Sequence, residues 1–146
     1  MKRVNELSIA IRIASQAFEN KTDRGGKPYI LHCLYVMYKV KHLGELAMIV
    51  AILHDVVEDC EKEGYTYSYL LNEGISITAI SFITLLTHVE GVPYMDYIKN
   101  LSCSEITKEI KKADLEHNSK IARLKGLRKK DFERIEKYHI AYEYLS

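Results

Sequence analysis

The chain has 146 residues, of which 47% are hydrophobic, with 21 lysines and arginines against 20 aspartates and glutamates. This length is typical of one domain with a substantial core, and the near-zero net charge provides no general attraction to nucleic acid or to a membrane surface. Because no apolar run approaches the roughly 20 residues that span a bilayer, we expect a cytoplasmic protein without nucleic-acid or membrane partners.

The hydrophobic pattern predicts helices along most of the chain, separated by glycines, prolines and charged loops. The predicted helices span residues 7–18, 29–43, 45–59, 65–72, 76–87, 94–101, 104–125 and 131–144. Ser76 and Ser104 are expected N-caps, Asp131 caps or begins the last helix, and Gly74 closes the fourth. The many β-branched residues of 75–83 also favour a strand as an alternative. We predict one all-α domain, a single-domain helical bundle over residues 1–146.

The most informative segment is the run from Leu53 to Asp59, which follows the apolar stretch 46–53. His54 and Glu58 are four residues apart, as are Asp55 and Asp59, so a continuous helix would place all four on one side. Acids held together beside a core repel one another, which raises their pKa values unless a cation neutralises them. The segment therefore predicts a site for a divalent metal ion.

Two more side chains are candidates to complete that site. His32 follows Pro28, which can occupy the first turn of the second helix, and Asp114 lies in the middle of the seventh. Together with His54 and Asp55 they give a mixed nitrogen and oxygen donor set, which suits Mn, Fe, Zn or Mg. Four protein ligands would leave positions for water and substrate on an ion that prefers six.

In their order along the chain, the predicted ligands His32, His54, Asp55 and Asp114 resemble the four-ligand signature of the HD-domain metal-dependent phosphohydrolases. A narrower resemblance, over residues 9–142, is to the hydrolase domain of RelA/SpoT-type enzymes and the small alarmone hydrolases. It rests on Pro28-Tyr29-Ile30 before His32, Glu58-Asp59 after the His-Asp pair, and Lys112-Ala113-Asp114 followed by Asn118. The resemblance implies an all-helical fold, one divalent metal ion with Mn2+ as the expected metal, and removal of 3′-pyrophosphate from (p)ppGpp-like nucleotides.

The same resemblance implies roles for the residues around the metal. Glu58 and Asp59 would position and deprotonate the attacking water. Asn118 would contact the nucleoside sugar, and Arg134 and Tyr138 would face the substrate from one helix. The full set of expected substrate-binding residues is Arg24, Lys27, Tyr29, Asn118, Arg134 and Tyr138.

Residues 86–94 depart from the RelA/SpoT pattern and, with the continuation from Tyr94 to Ile98, look more like a bacterial subgroup of HD hydrolases. Two alternatives therefore stay open: another HD-family nucleotidase or phosphodiesterase, and a non-catalytic nucleotide or metal sensor. The Glu58-Asp59 pair with Arg134 and Tyr138 favours the 3′-pyrophosphohydrolase. Lys111 is expected on a solvated helix face.

Overall fold

The computed structural model describes residues 5–146, and the predicted domain boundary at Met1 lies outside them. The described part contains helices and one isolated bridge between Thr22 and Pro28, with no strand. The helices are α1 (Glu6–Ala17), α2 (Ile30–Lys39), α3 (Glu45–Leu53), α4 (Val56–Cys60), α5 (Tyr67–Glu73), α6 (Ile77–Leu86), α7 (Tyr94–Leu101), α8 (Glu105–Asn118) and α9 (Lys129–Leu145). The all-α prediction is confirmed, and the strand alternative for residues 75–83 is wrong. Within residues 5–146, no helix is long and apolar enough to cross a membrane.

Helix α3 lies at the centre of the bundle and packs against α1, α2, α6 and α8. A helix that is apolar on all sides is stable only when other elements surround it. Its buried residues are Ala47, Ile49, Val50, Ala51, Ile52 and Leu53. Because burial of apolar surface is the main stabilising contribution, the end of α3 that leads into His54 is anchored in the core.

The prediction of one continuous helix over residues 45–59 is wrong, because the helix is interrupted at His54 and Asp55. Asp55 has φ −101° and ψ −5°, and α4 starts after it at Val56. Adjacent residues of a regular helix point about 100° apart, since the helix has 3.6 residues per turn. The backbone at Asp55 departs from this geometry, which changes the angle between the two adjacent side chains.

Helix α8 is shorter than the predicted 104–125. It ends at Asn118 and is followed by a 3-10 turn, Ile121–Arg123. The Arg123 guanidinium donates to the His117 carbonyl at 2.8 Å, so it adds a side-chain donor to one of the carbonyls at the helix end. The predicted second helix likewise ends early, at Lys39, before a 3-10 turn, Lys41–Leu43.

The predicted helix caps have different outcomes. The Ser76 side chain accepts a hydrogen bond from the Ala79 N–H, and Gly74 ends α5 at φ 107°, both as expected. Ser104 occupies the N-cap position of α8, but its side chain makes no cap hydrogen bond. Asp131 lies in the first turn of α9, where its carboxylate accepts from the Arg128 N–H at 2.9 Å.

Candidate metal centre and adjacent cavities

Three parts of the chain bring His32, His54, Asp55 and Asp114 together, with ligand atoms all within 4.8 Å of one another. Asp114 Oδ1 lies 2.8 Å from His32 Nε2 and 3.4 Å from His54 Nε2. Asp55 Oδ2 lies 3.9 Å from His32 Nε2 and 3.1 Å from His54 Nε2. The predicted set of four therefore converges, with His32 from α2, the His-Asp pair from the α3–α4 junction and Asp114 from α8.

These separations fit ligands that share one small cation. Metal bonds to imidazole nitrogen and carboxylate oxygen of about 2.0–2.2 Å place neighbouring ligand atoms roughly 3 to 4 Å apart. The four side chains belong to residues that are at most 8% exposed, so water alone would solvate their charges poorly. Two imidazoles and two carboxylates are a donor set that borderline and hard divalent ions accept. The cluster can therefore hold a divalent metal ion.

Surrounding hydrogen bonds fix how the cluster side chains point. His54 Nδ1 donates to the Ala51 carbonyl at 2.6 Å, and Tyr29 OH donates to Asp55 Oδ2 at 2.5 Å. His32 Nδ1 lies 2.7 Å from His117 Nδ1. Partial burial and the nearby Arg123 charge lower the pKa of His117 to about 4, so His117 is neutral at pH 7 and its Nδ1 is able to accept a hydrogen bond from the His32 Nδ1–H. Both cluster histidines thus present Nε2, as metal-ligating histidines do.

His117 was not among the residues predicted from the sequence to belong to the site. Its ring stacks on His32 and on Tyr35, with centroids 5.0 Å and 3.9 Å apart. The sequence signal that could have identified it is its spacing, since residues three apart share a helix face and Asp114 lies three residues before it.

Lys111 corrects another expectation, because it is not on a solvated face. Its side chain is 13% exposed and its ammonium donates to Asp114 Oδ2 at 2.9 Å. Burial disfavours this charge, but the Asp114 carboxylate, Tyr97 and Tyr94 raise the pKa of Lys111 well above its usual range. Burial alone would raise the pKa of Asp114, yet Lys111 and the two cluster histidines hold it well below its usual range. Lys111 is therefore an ion-pair partner of the cluster.

Glu58 and Asp59 both reach solvent beside the cluster but face different surroundings. Glu58 Oε1 accepts from the His88 N–H at 2.7 Å. Partial desolvation, followed by the charge of Asp55, raises the pKa of Glu58. Partial desolvation and the charges of Asp55 and Glu58 raise the pKa of Asp59 to about 7. A cation at the cluster would oppose this repulsion.

A cavity of about 420 Å³, the larger cavity, opens beside Asp59. It is lined by most of the predicted substrate-binding residues: Arg24, Tyr29, Asn118, Arg134 and Tyr138. The Arg24 and Arg134 guanidiniums both donate to Asp131 Oδ1, at 3.1 and 3.2 Å, so one carboxylate holds two cations at this cavity. Lys27 is exposed and is not in the lining.

The larger cavity also contains basic residues that the sequence did not identify. Arg123 Nη2 donates to Asp23 Oδ2 at 3.0 Å, joining the loop before α2 to the turn after α8. The ammonium of Lys120, another lining residue, lies 4.6 Å from the centroid of the Tyr35 ring. No local pattern distinguishes these residues from other basic surface residues, because their role depends on contacts between distant segments.

A second cavity of about 200 Å³, the smaller cavity, adjoins Glu58 and Asp114. Its other walls come from the loop after α6 and from α7, α8 and α9. These walls are His88, Tyr94, Tyr97, Lys111, Lys137 and Tyr138. Tyr138 lines both cavities, so its side chain is a wall that the two spaces share.

Comparison with solved structures identifies a protein of the same fold. A metazoan ortholog of SpoT, described as hydrolysing ppGpp and as having a role in starvation responses, matches with a TM-score of 0.71 and 18% sequence identity. The match covers 99% of this chain and 85% of that chain. Neither a protein-family model nor a curated protein sequence matches the chain. The predicted resemblance is thus confirmed in the fold, which is that of a SpoT ortholog, and in a buried His/Asp cluster that fits an HD-type metal site.

Proposed function

We propose that this protein is a divalent-metal-dependent phosphohydrolase that removes 3′-pyrophosphate from (p)ppGpp-like nucleotides. The observation that carries the proposal is the buried convergence of His32, His54, Asp55 and Asp114 beside a cavity lined with cations. A bound ion, with Mn2+ as the expected metal, would act as a Lewis acid that polarises a phosphoryl group and lowers the pKa of water.

Glu58 and Asp59 are the groups that position the water and accept its proton. A general base must lie within hydrogen-bond reach of the proton that it removes. Asp59 lines the larger cavity, so it is the better placed of the two for this proton transfer. Glu58 accepts a hydrogen bond from the His88 N–H, which orients its carboxylate, and it helps to position the water.

The larger cavity binds the nucleotide. Its volume of about 420 Å³ lies within the range of small-molecule sites, roughly 300 to 1,000 Å³. Arg24 and Arg134 attract the 5′-phosphates, since guanidinium groups pair well with phosphate oxygens. Asn118, whose amide donates to Asp114 Oδ1 at 3.1 Å, contacts the ribose, and Tyr138 packs against the nucleotide.

The comparison supports the choice of substrate. The SpoT ortholog that shares this fold is described as a protein that hydrolyses ppGpp. A common fold does not specify a substrate, so the proposal also depends on this chain's own arrangement of Asp59, Arg24 and Arg134 around the larger cavity.

The test is an assay of the purified protein with Mn2+ against ppGpp, pppGpp, their deoxy and adenine analogues, NADPH and simple nucleotides, with products separated by chromatography. The proposal predicts that ppGpp yields GDP and pyrophosphate in equal amounts. Intact ppGpp alongside hydrolysis of a simple nucleotide or phosphodiester would instead identify another HD-family hydrolase. Nucleotide binding without any product would identify a sensor.

A further inference from the structure

The smaller cavity has no role in nucleoside binding under the proposed function. At about 200 Å³ it is below the usual size of sites for drug-sized ligands, so a nucleoside would not fit, whereas a compact anion would. It adjoins the metal cluster through Asp114 and the candidate water-positioning group Glu58. An anion held there would lie against the reacting centre.

Two lysines supply positive charge to this cavity. The Lys111 ammonium donates one hydrogen bond to Asp114 Oδ2. Because an ammonium has three N–H groups to donate, it has further donors for a ligand. The Lys137 ammonium lies 4.2 Å from the centroid of the Tyr94 ring, and both residues line the smaller cavity. Glu58 Oε1 accepts a hydrogen bond from the His88 N–H, so the loop after α6 holds the Glu58 carboxylate in place.

Tyr94 adds a hydrogen-bond donor without a partner. Its hydroxyl oxygen is buried and makes no hydrogen bond within residues 5–146. Partial desolvation raises the pKa of Tyr94 to about 12, so the hydroxyl keeps its proton at neutral pH. Because buried polar atoms are nearly always hydrogen-bonded, an unsatisfied hydroxyl on a residue that lines the same cavity as Lys111 and Lys137 suits a ligand with acceptor oxygens.

We propose that Lys111, Lys137 and Tyr94 form a subsite for the pyrophosphate group of the substrate and for the pyrophosphate product. This inference rests on the proposed function. In the reaction, the water oxygen bonds to the phosphorus attached to the ribose 3′-oxygen, and the bond from that phosphorus to the 3′-oxygen breaks. One proton of the water passes to Asp59 and from there to the 3′-oxygen, which leaves as a hydroxyl in the larger cavity. The pyrophosphate, which now carries the water oxygen, remains in the smaller cavity.

The test is calorimetric titration of micromolar pyrophosphate into Mn2+-loaded protein freed of excess Mn2+, with bound manganese measured afterwards. Lys137→Ala is expected to weaken pyrophosphate binding about tenfold, the scale of one charge-assisted hydrogen bond. Lys129→Ala is the matched control, because Lys129 is an exposed lysine of the same helix that lines neither cavity. It is expected to bind pyrophosphate within twofold of the parent protein.

Tyr94→Phe is the variant that separates binding from folding. The hydroxyl makes no internal hydrogen bond, so its removal leaves the packing of α7 intact and is expected to weaken only pyrophosphate binding, several-fold. Equal pyrophosphate affinity in the parent, Lys137→Ala and Tyr94→Phe proteins would overturn the subsite.

Different experimental results would overturn the subsite and the proposed function. If the protein cleaves ppGpp but the Lys137→Ala and Tyr94→Phe variants bind pyrophosphate as tightly as the parent, the subsite is wrong and the proposed function is retained. Pyrophosphate binding that depends on Lys137, in a protein that cleaves no 3′-pyrophosphorylated nucleotide, would support the anion site and overturn the function. Arg134→Ala, titrated with GDP and with pyrophosphate, is expected to weaken GDP binding alone, since Arg134 lines only the larger cavity.

Discussion

At the scale of single residues, we propose separate tasks for the two adjacent carboxylates of α4. Asp59 faces the larger cavity, and Glu58 holds the His88 N–H. Asp59→Asn is predicted to keep the metal ion and to lower turnover on the order of 10²-fold, the usual scale of a lost general base. Steady-state kinetics together with metal analysis check this, and turnover at the parent rate would remove Asp59 from the mechanism.

Glu58→Gln tests the neighbouring acid without disturbing the loop. The amide oxygen of Gln can still accept from the His88 N–H, so the contact measured at 2.7 Å is retained while the negative charge is lost. We predict a similar loss in turnover, on the order of 10²-fold, with an unchanged melting temperature. If Glu58→Gln has a lower melting temperature but the turnover rate of the parent protein, Glu58 only supports the loop.

Arg134 is predicted to act on nucleotide binding. Arg134→Ala removes one of the two guanidiniums held by Asp131, and is expected to raise KM for ppGpp at least tenfold, the scale of a lost charge-assisted contact. Hydrolysis of a small generic phosphoester should change little, because that substrate does not reach Arg134. Arg12→Ala is the control, because it breaks only an ion pair between α1 and Glu73 at the end of α5. Equal losses on both substrates would contradict this role.

At the scale of elements, α3 supports the site from within the core. Leu53, directly before His54, is fully buried, and Leu53→Ala is predicted to lower the free energy of unfolding by about 2–5 kcal/mol. Urea denaturation in the presence of EDTA measures this without a contribution from metal binding. Leu71→Ala on α5, where the residue is 44% exposed, is the control and should cost well under about 1 kcal/mol. Similar losses in the two variants would contradict the central position of α3.

The loop before α2 is held against the turn after α8 at Gly25. A Cβ added there would collide with the Arg123 carbonyl oxygen, so Gly25→Ala must separate two segments that line the larger cavity. We predict a raised KM for ppGpp and a loss of about 1–3 kcal/mol in stability, the usual cost of overpacking. Asn20→Ala, at an exposed position of the same loop, should leave both unchanged, and an unaltered KM in Gly25→Ala would contradict the contact.

The sequence could predict most helices because each carries its own periodicity and caps, as with Ser76 and Gly74. The break at Asp55 was missed because the local pattern is helical on both sides, and only the convergence of three helices favours the interruption. Lys111 was assigned to a solvated face because a lysine has no sequence mark of burial. Its partner Asp114 and the walls Tyr94 and Tyr97 come together only through packing.

At the scale of the whole molecule, the metal ion should stabilise the fold. Four buried titratable side chains lie within 4.8 Å of one another, so an ion that binds only the folded chain shifts the folding equilibrium by mass action. At a hundredfold excess over Kd this amounts to about 2.7 kcal/mol, which is roughly 5–10 °C in Tm for a domain of this size. Calorimetry should show this rise with Mn2+ and its loss in Asp114→Asn. A Tm that is the same with Mn2+ and with EDTA would contradict binding at the cluster.

We propose that one divalent ion at His32, His54, Asp55 and Asp114 supports hydrolysis of a 3′-pyrophosphorylated nucleotide. The most direct measurement is the rate of GDP and pyrophosphate release from ppGpp as metal-free protein is titrated with Mn2+. We expect no hydrolysis without metal, a rate that rises in proportion to bound Mn2+, and a plateau at about one equivalent per chain. Hydrolysis by the metal-free protein, or intact ppGpp with one equivalent of Mn2+ bound, would contradict it.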